Sequence, residues 1–152
     1  MTPGAMSERV VAGRVAMVRG LLRDIRGLPL DDYRVFVADR RNVWASESCL
    51  RRSLEALFDL SRHILSKGFG RGVAEYKAIA AQMQADGVLS AEEAATLRIL
   101  AGYRNRLVHY YHEISEEELY QFCSSQLSDV ERVLDAIQAW VLVHSEMLDR
   151  QL

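Results

Sequence analysis

The stretch "SAEEAATLRILAGYRNRLVHYYHEISEEE", Ser90 to Glu118, decides the fold. It begins with Ser90 followed three residues later by Glu93, and it closes with Ser115 followed by Glu118. Each pair spells a capping box, in which a serine and a glutamate satisfy free backbone N–H groups at a helix start. The sequence between them therefore reads as one helix, expected to run to about His112. Leu97, Ala101, Arg104, Val108 and Tyr111 step by four, three, four and three and share one face of it. The helix that starts at Ser115 follows after so short a connection that the two should pack antiparallel.

Three more helical segments precede these. The first runs from about Ser7 to Arg26, with Val11, Val15, Val18, Leu22 and Ile25 at helical spacing, and ends at Gly27 and Pro29. Its arginines Arg19, Arg23 and Arg26 cluster on one side, either as a solvated face or as a phosphate-contacting strip. The second is read as one long helix from Asp31 to Gly68, burying Leu50, Leu54, Leu57, Phe58, Ser61, Ile64 and Leu65. The third is short, Val73 to Ala85, with Tyr76, Ile79, Ala80 and Met83 on one face. The last is expected to continue from Ser115 to Asp149, burying Leu119, Cys123, Leu127, Val130, Leu134, Ile137, Val141 and Leu148. The expected architecture is an all-α, up-and-down bundle of four main helices plus a short fifth. It is read as a single domain over residues 1–152, with residues 1–6 disordered.

Composition agrees. A hydrophobic share of 49% in 152 residues supplies one core, and two prolines with nine glycines favour helix over a turn-rich β fold. A net charge of -2 gives no global basic field, so an anionic partner must be met by a local patch. Cys49 and Cys123 have no metal or disulfide spacing and read as small buried thiols. No apolar run reaches membrane-span length and no signal-type apolar segment opens the chain, so the expected compartment is the cytoplasm.

The chemistry lies in the opening stretch. Arg104 occupies a slot where an aliphatic side chain belongs, and an unpaired buried guanidinium costs several kcal/mol. It must pair with an acid such as Asp59, reach a wet cleft or meet an anion. Around it, Asn105, Val108, His109, Tyr111 and His112 fill a largely polar sector of about 160° on the helical wheel. A single bundle cannot pack such a sector away; it needs a crevice or a second subunit. Arginine holds a phosphate bidentately at any relevant pH, and histidine moves protons near neutrality. Together they suit cleavage of a phosphodiester by its own 2′-hydroxyl, which makes RNA the natural substrate. One histidine cannot serve as acid and base at once. A symmetric dimer, or His112 as a second proton carrier, would resolve this. A metal held by His109 and His112 with Glu113 or Glu116 is the weaker alternative.

"RNRLVHYY" resembles the R-x4-H-x-Y motif of HepT-like proteins in the HEPN superfamily, with Arg104, His109 and Tyr111 at its fixed positions and Asn105 as its polar neighbour. "RRSLEALFDLSRHIL", Arg51 to Leu65, resembles the family's central helix, and Glu75 to Tyr111 resembles its short helix, turn and motif helix in order. The resemblance implies a HEPN-like dimeric bundle acting as a metal-independent endoribonuclease toxin on tRNA or mRNA. It needs no cofactor, and the two motif copies share one cleft at the homodimer interface. It assigns catalysis to Arg104, His109 and Asn105; the reading of the residues themselves adds His112 and Asp59 in supporting roles. It implies an MntA-type nucleotidyltransferase antitoxin that transfers AMP to Tyr111. The alternative is a non-catalytic module that binds RNA, a nucleotide or the nucleotidyltransferase. In a third reading the motif helix is only a structural seam.

Overall fold

The computed structural model describes residues 5–151. Helix α1 spans Glu8–Arg26, and Ser7 Oγ caps it by accepting from the Val10 N–H. Its five predicted core residues are all buried. Arg19 donates to Asp135 and Gln138, and Arg26 to Glu131. The arginine strip is thus largely spent on cross-helix ion pairs.

The long second helix is broken. Helix α2 covers Tyr33–Ala38 and α3 covers Arg40–His63. Asp39 sits between them in an extended conformation, φ -114° and ψ 109°. Its carboxylate accepts from the Arg41 N–H and grips the Arg41 guanidinium at 2.9–3.2 Å. An aspartate that bonds nearby backbone competes with the helix ladder, which the apolar pattern alone does not reveal. Helix α2 then folds Phe36, fully buried, against Tyr120 at 5.3 Å. Helix α3 continues into a π-helical turn, Ile64–Gly68, and its predicted stripe from Leu50 to Leu65 is buried throughout.

Helix α4, Tyr76–Ala85, and helix α5, Ala91–His109, are joined by a turn in which Gly87 takes φ 80°. Ser90 and Glu93 form the complete capping box. Ser115 caps α6, Glu116–Ser125, but the Glu118 carboxylate goes to Arg106 instead of back to the Ser115 N–H. The last helix is also broken. Ser124 and Ser125 bond back to the carbonyls of Tyr120 and Gln121, which bends a helix, and α7, Leu127–Val143, begins past Gln126. It ends at Val143, where His144 bonds the Trp140 carbonyl and stacks on its ring at 4.3 Å. Leu148, expected in that helix, lies instead in a two-residue strand.

The expected all-α, up-and-down bundle is the observed architecture, with seven helices among the described residues because two long segments are each split. The only sheet among them is a two-residue parallel pair, β1 (Met6–Ser7) with β2 (Leu148–Asp149). Met6 is fully buried, so the order begins inside the leader expected to be disordered; the rest of that expectation, residues 1–4, lies outside the described residues. Cys123 is buried as expected, with its thiol pushed up to about 12 by burial, while Cys49 is half-buried.

His63 ties β1 to α3: its Nε2 accepts the Ser7 N–H at 3.0 Å. Burial, reinforced by the Lys67 and Arg14 charges, holds its pKa below the ordinary 6.5. The unfolded chain therefore takes up this proton more readily than the native one. The His63 contribution is complete above about pH 6.5 and is lost as pH falls through the lowered value. Melting curves between pH 8 and 5 should show a smaller acid-side fall for His63→Gln, whose amide oxygen can keep the Ser7 bond without titrating. Equal falls in both proteins would remove His63 as the cause.

Candidate functional site

Helix α5 carries the candidate residues and determines where each one points. Its core direction is marked by Leu97, Leu100, Ala101 and Leu107, all buried. Arg104 lies on that side, and only 18% of its side chain is exposed. It projects against α3 and α4. Its guanidinium carbon stands 4.3 Å from the ring centre of Tyr76, whose other stacking partner is Phe58 at 4.6 Å and 12°. Arg62 reaches the same ring at 5.0 Å. Phe58 thus supports an aromatic platform on which two cations gather.

The acid near Arg104 is Glu55, at 3.7 Å, one turn before Asp59 on α3. Glu55 is shared with Arg51 at 3.8 Å. Asp59 lies between Arg14 and Arg62, each 3.9 Å away. Arg104 also donates to Asn105 Oδ1 at 3.3 Å, yet its Nε is buried with no hydrogen-bond partner. No contact here is a short bidentate pair, so the positive charge of Arg104 is incompletely met. It faces an open cleft of about 520 Å³ lined by Arg62, Glu75, Tyr76, Lys77, Arg104 and Asn105. Sequence reading missed Arg62 and Lys77 and took Tyr76 only as a core-facing ring. The signal for them was the cation in an aliphatic slot, which implies a partner surface on the facing helices.

His109 is the last residue of α5 and is exposed. Five residues after Arg104 it points about 140° around the helix from it, and about 7.5 Å along the axis. It therefore continues the outward stripe of Ala95, Ile99 and Gly102. Ile99 is 69% exposed, and a side chain added at Gly102 would meet nothing. The helix does not reach His112. Tyr110 leaves helical geometry at φ -133° and ψ 34°, and Tyr111–Glu113 form a separate 3-10 turn. The wheel that aligned Tyr111 and His112 with Arg104 consequently stops at His109. Tyr111 is 67% exposed, edge-on to His112 at 5.9 Å, and borders a 340 Å³ cleft with Trp44, Leu107, Ile114 and Leu119. Tyr110 is also exposed. One chain thus gathers Arg104 and Asn105 but holds His109 and Tyr111 on different surfaces. No group of three or more His, Cys, Asp and Glu side chains suited to a metal occurs among the described residues, and no helix there is long and apolar enough to cross a membrane.

Several solved structures share this fold. A tri-AMPylated HEPN toxin from Shewanella oneidensis, solved in complex with an MNT antitoxin, superposes with a TM-score of 0.76 at 20% identity, over 86% of this chain and 97% of that one. A toxin–antitoxin structure with AMP-PNP gives 0.75 at 19% identity, over 84% and 97%. YutE from Bacillus subtilis, a cytosolic protein of unknown function, gives 0.76 at 16% identity, over 91% and 92%. At such identities the likeness is one of fold. No curated protein matches the sequence. A family model does match, over residues 20–137, which hold the platform, the cationic cleft and the whole motif helix: the chain belongs to the ribonuclease HepT-like family.

Proposed function

We propose that this protein is a cytoplasmic, metal-independent endoribonuclease toxin that cleaves RNA in a cleft shared by two copies of the chain. The observation that carries the proposal is Arg104: a mostly buried cation with an unpartnered Nε, opening onto a cationic cleft, on a helix that also carries His109, in a chain of the ribonuclease HepT-like family. The roughly 140° between Arg104 and His109 leaves the two groups of one chain on different surfaces, so the proposed site takes its imidazoles from two copies of the chain. In that site neutral His109 takes the proton from the 2′-hydroxyl, and the 2′-oxygen bonds to phosphorus. The bond to the 5′-oxygen breaks, and this oxygen takes a proton from the partner copy's protonated imidazole. The products are a 2′,3′-cyclic phosphate and a 5′-hydroxyl. Arg104 meets the charge on the non-bridging oxygens, Asn105 orients Arg104, and Asp59 steadies Arg62. His112 is a second proton carrier at the same end.

Similarity in fold to toxins solved with MNT antitoxins supports a nucleotidyltransferase partner that transfers AMP to Tyr111. An exposed hydroxyl on a turn outside the helix suits an incoming enzyme. The purified protein should cut tRNA or mRNA in the presence of EDTA and leave cyclic-phosphate ends. Coexpression with a nucleotidyltransferase of this type should stop cutting and add whole AMP units to the intact mass, which Tyr111→Phe prevents and Tyr110→Phe does not. Absence of cutting across a broad RNA panel would remove the nuclease reading. Tight RNA binding without cutting would establish the non-catalytic module instead.

A further inference from the structure

A larger concavity, about 680 Å³, adjoins the motif cleft and shares Arg62 and Ala74 with it. Helix α1 contributes Arg14, α3 contributes Asp59, Arg62 and His63, and the following turn and loop contribute Lys67 and Arg71. With Lys77 and Arg104 beyond the shared rim, six cations line the joined surface against Asp59 and Glu75 among the described residues. This occurs in a chain of net charge -2, so the positive charge is concentrated here.

The cations differ in how far they are already satisfied. Arg71 is held at 2.7 Å by Asp86. Arg62 donates to the Val73 and Ala74 carbonyls and so fixes the rim between the two clefts. Arg14 has a buried Nε without a hydrogen-bond partner, and the nearest carboxylate, Asp59, is 3.9 Å away, beyond hydrogen-bond reach. Lys67 is exposed, with no ion pair among the described residues. The trough therefore repeats, one cleft further on, the condition seen at Arg104: a guanidinium with a buried, unsatisfied N–H beside open space. Two such sites bridged by Arg62 suit a ligand with regularly repeated negative charge. A flexible single strand follows a concave groove of this kind, whereas an acidic protein surface would have to be convex and matched to it.

We propose that the trough of Arg14, Arg62, Lys67 and Arg71 is a second phosphate-binding site that carries the backbone of single-stranded RNA away from the motif cleft. The identity of the ligand rests on the ribonuclease reading, but binding at the trough does not depend on cleavage. Arg62 serves both clefts, so the strand passes it without a break in positive potential. Asp59 is the one acid in the trough lining among the described residues, and it weakens anion binding there.

The test uses the whole chain and a single-stranded 2′-O-methyl RNA of about 16 nucleotides, which has no free 2′-hydroxyl and cannot be cut by this chemistry. Binding is followed by anisotropy over a range of salt concentrations. Arg14→Gln combined with Lys67→Ala should weaken binding about tenfold and make the log–log salt slope shallower by about 1.4, two phosphate contacts at about 0.7 each. Asp59→Asn should tighten binding about threefold, a gain that misfolding cannot produce. Wild-type affinity and slope in the double variant, or unchanged or weaker binding by Asp59→Asn, would overturn the proposal. So would a wild-type chain that does not bind the RNA, or a double variant impaired only in binding a protein partner. If the variants behave as expected while the wild type never cuts cleavable RNA, the trough stands and the nuclease reading falls. If cutting is seen but the variants bind normally, the reverse holds.

Discussion

His109→Ala reduces RNA cleavage by about 10²- to 10⁴-fold, the range associated with losing a positioned proton carrier. The side chain is exposed at the end of α5, so its removal leaves no cavity and the melting temperature should not move. Arg104→Lys should cost about 10²- to 10³-fold, the range for losing one preorganised donor to the transition-state charge. Lysine keeps the charge but loses the planar fork and its stacking on Tyr76. Single-turnover kinetics with matched melting curves check both. The proposed mechanism does not survive if His109→Ala cuts as fast as the wild type, or if its activity falls only in step with a loss of folded protein.

Phe58→Ala should destabilise the fold by about 3–5 kcal/mol, the usual cost of emptying a fully buried phenylalanine site. Phe58 lies where α3 meets α4, and its ring is the support for Tyr76. The loss should appear in urea unfolding as a lower midpoint with an unchanged slope. Phe58→Leu separates packing from platform. It keeps most of the volume, costs about 1 kcal/mol, and removes the ring under Tyr76. Cleavage by this variant should weaken at protein concentrations where it is fully folded. If it cuts like the wild type, the aromatic platform has no part in holding Arg104.

The helical core was readable because burial follows periodicity. Every residue of the Leu50–Leu65 stripe is buried, as are the five predicted positions of α1. The breaks were not readable from that periodicity. They come from single polar side chains that outcompete the helix ladder, Asp39 by capping and Ser124 with Ser125 by back-bonding, while the apolar pattern runs on across them. Arg104 was singled out correctly as a cation in a core slot, but its acidic neighbour is Glu55 and not Asp59. The two acids are one turn apart on α3, and spacing alone cannot fix helix-to-helix register to one turn. The turn at Tyr110 was hidden for a related reason. Nothing in "VHYYHE" breaks a helix outright, and it ends there because Ser115 starts the next one. The trough was missed because its cations come from α1, α3 and the loop after it, distant in sequence, and because two of the arginines that did cluster in sequence, Arg19 and Arg26, are engaged with α7.

The short pairing of Met6–Ser7 with Leu148–Asp149 makes the chain nearly a ring. Its two described ends leave the bundle side by side, so the entropy of bringing them together is already absorbed in the native state. Because the two strands run parallel, a linker joining the ends must turn back along the pair, and domains appended at the two ends would depart in opposite directions from one patch beside Gly68 and Met147.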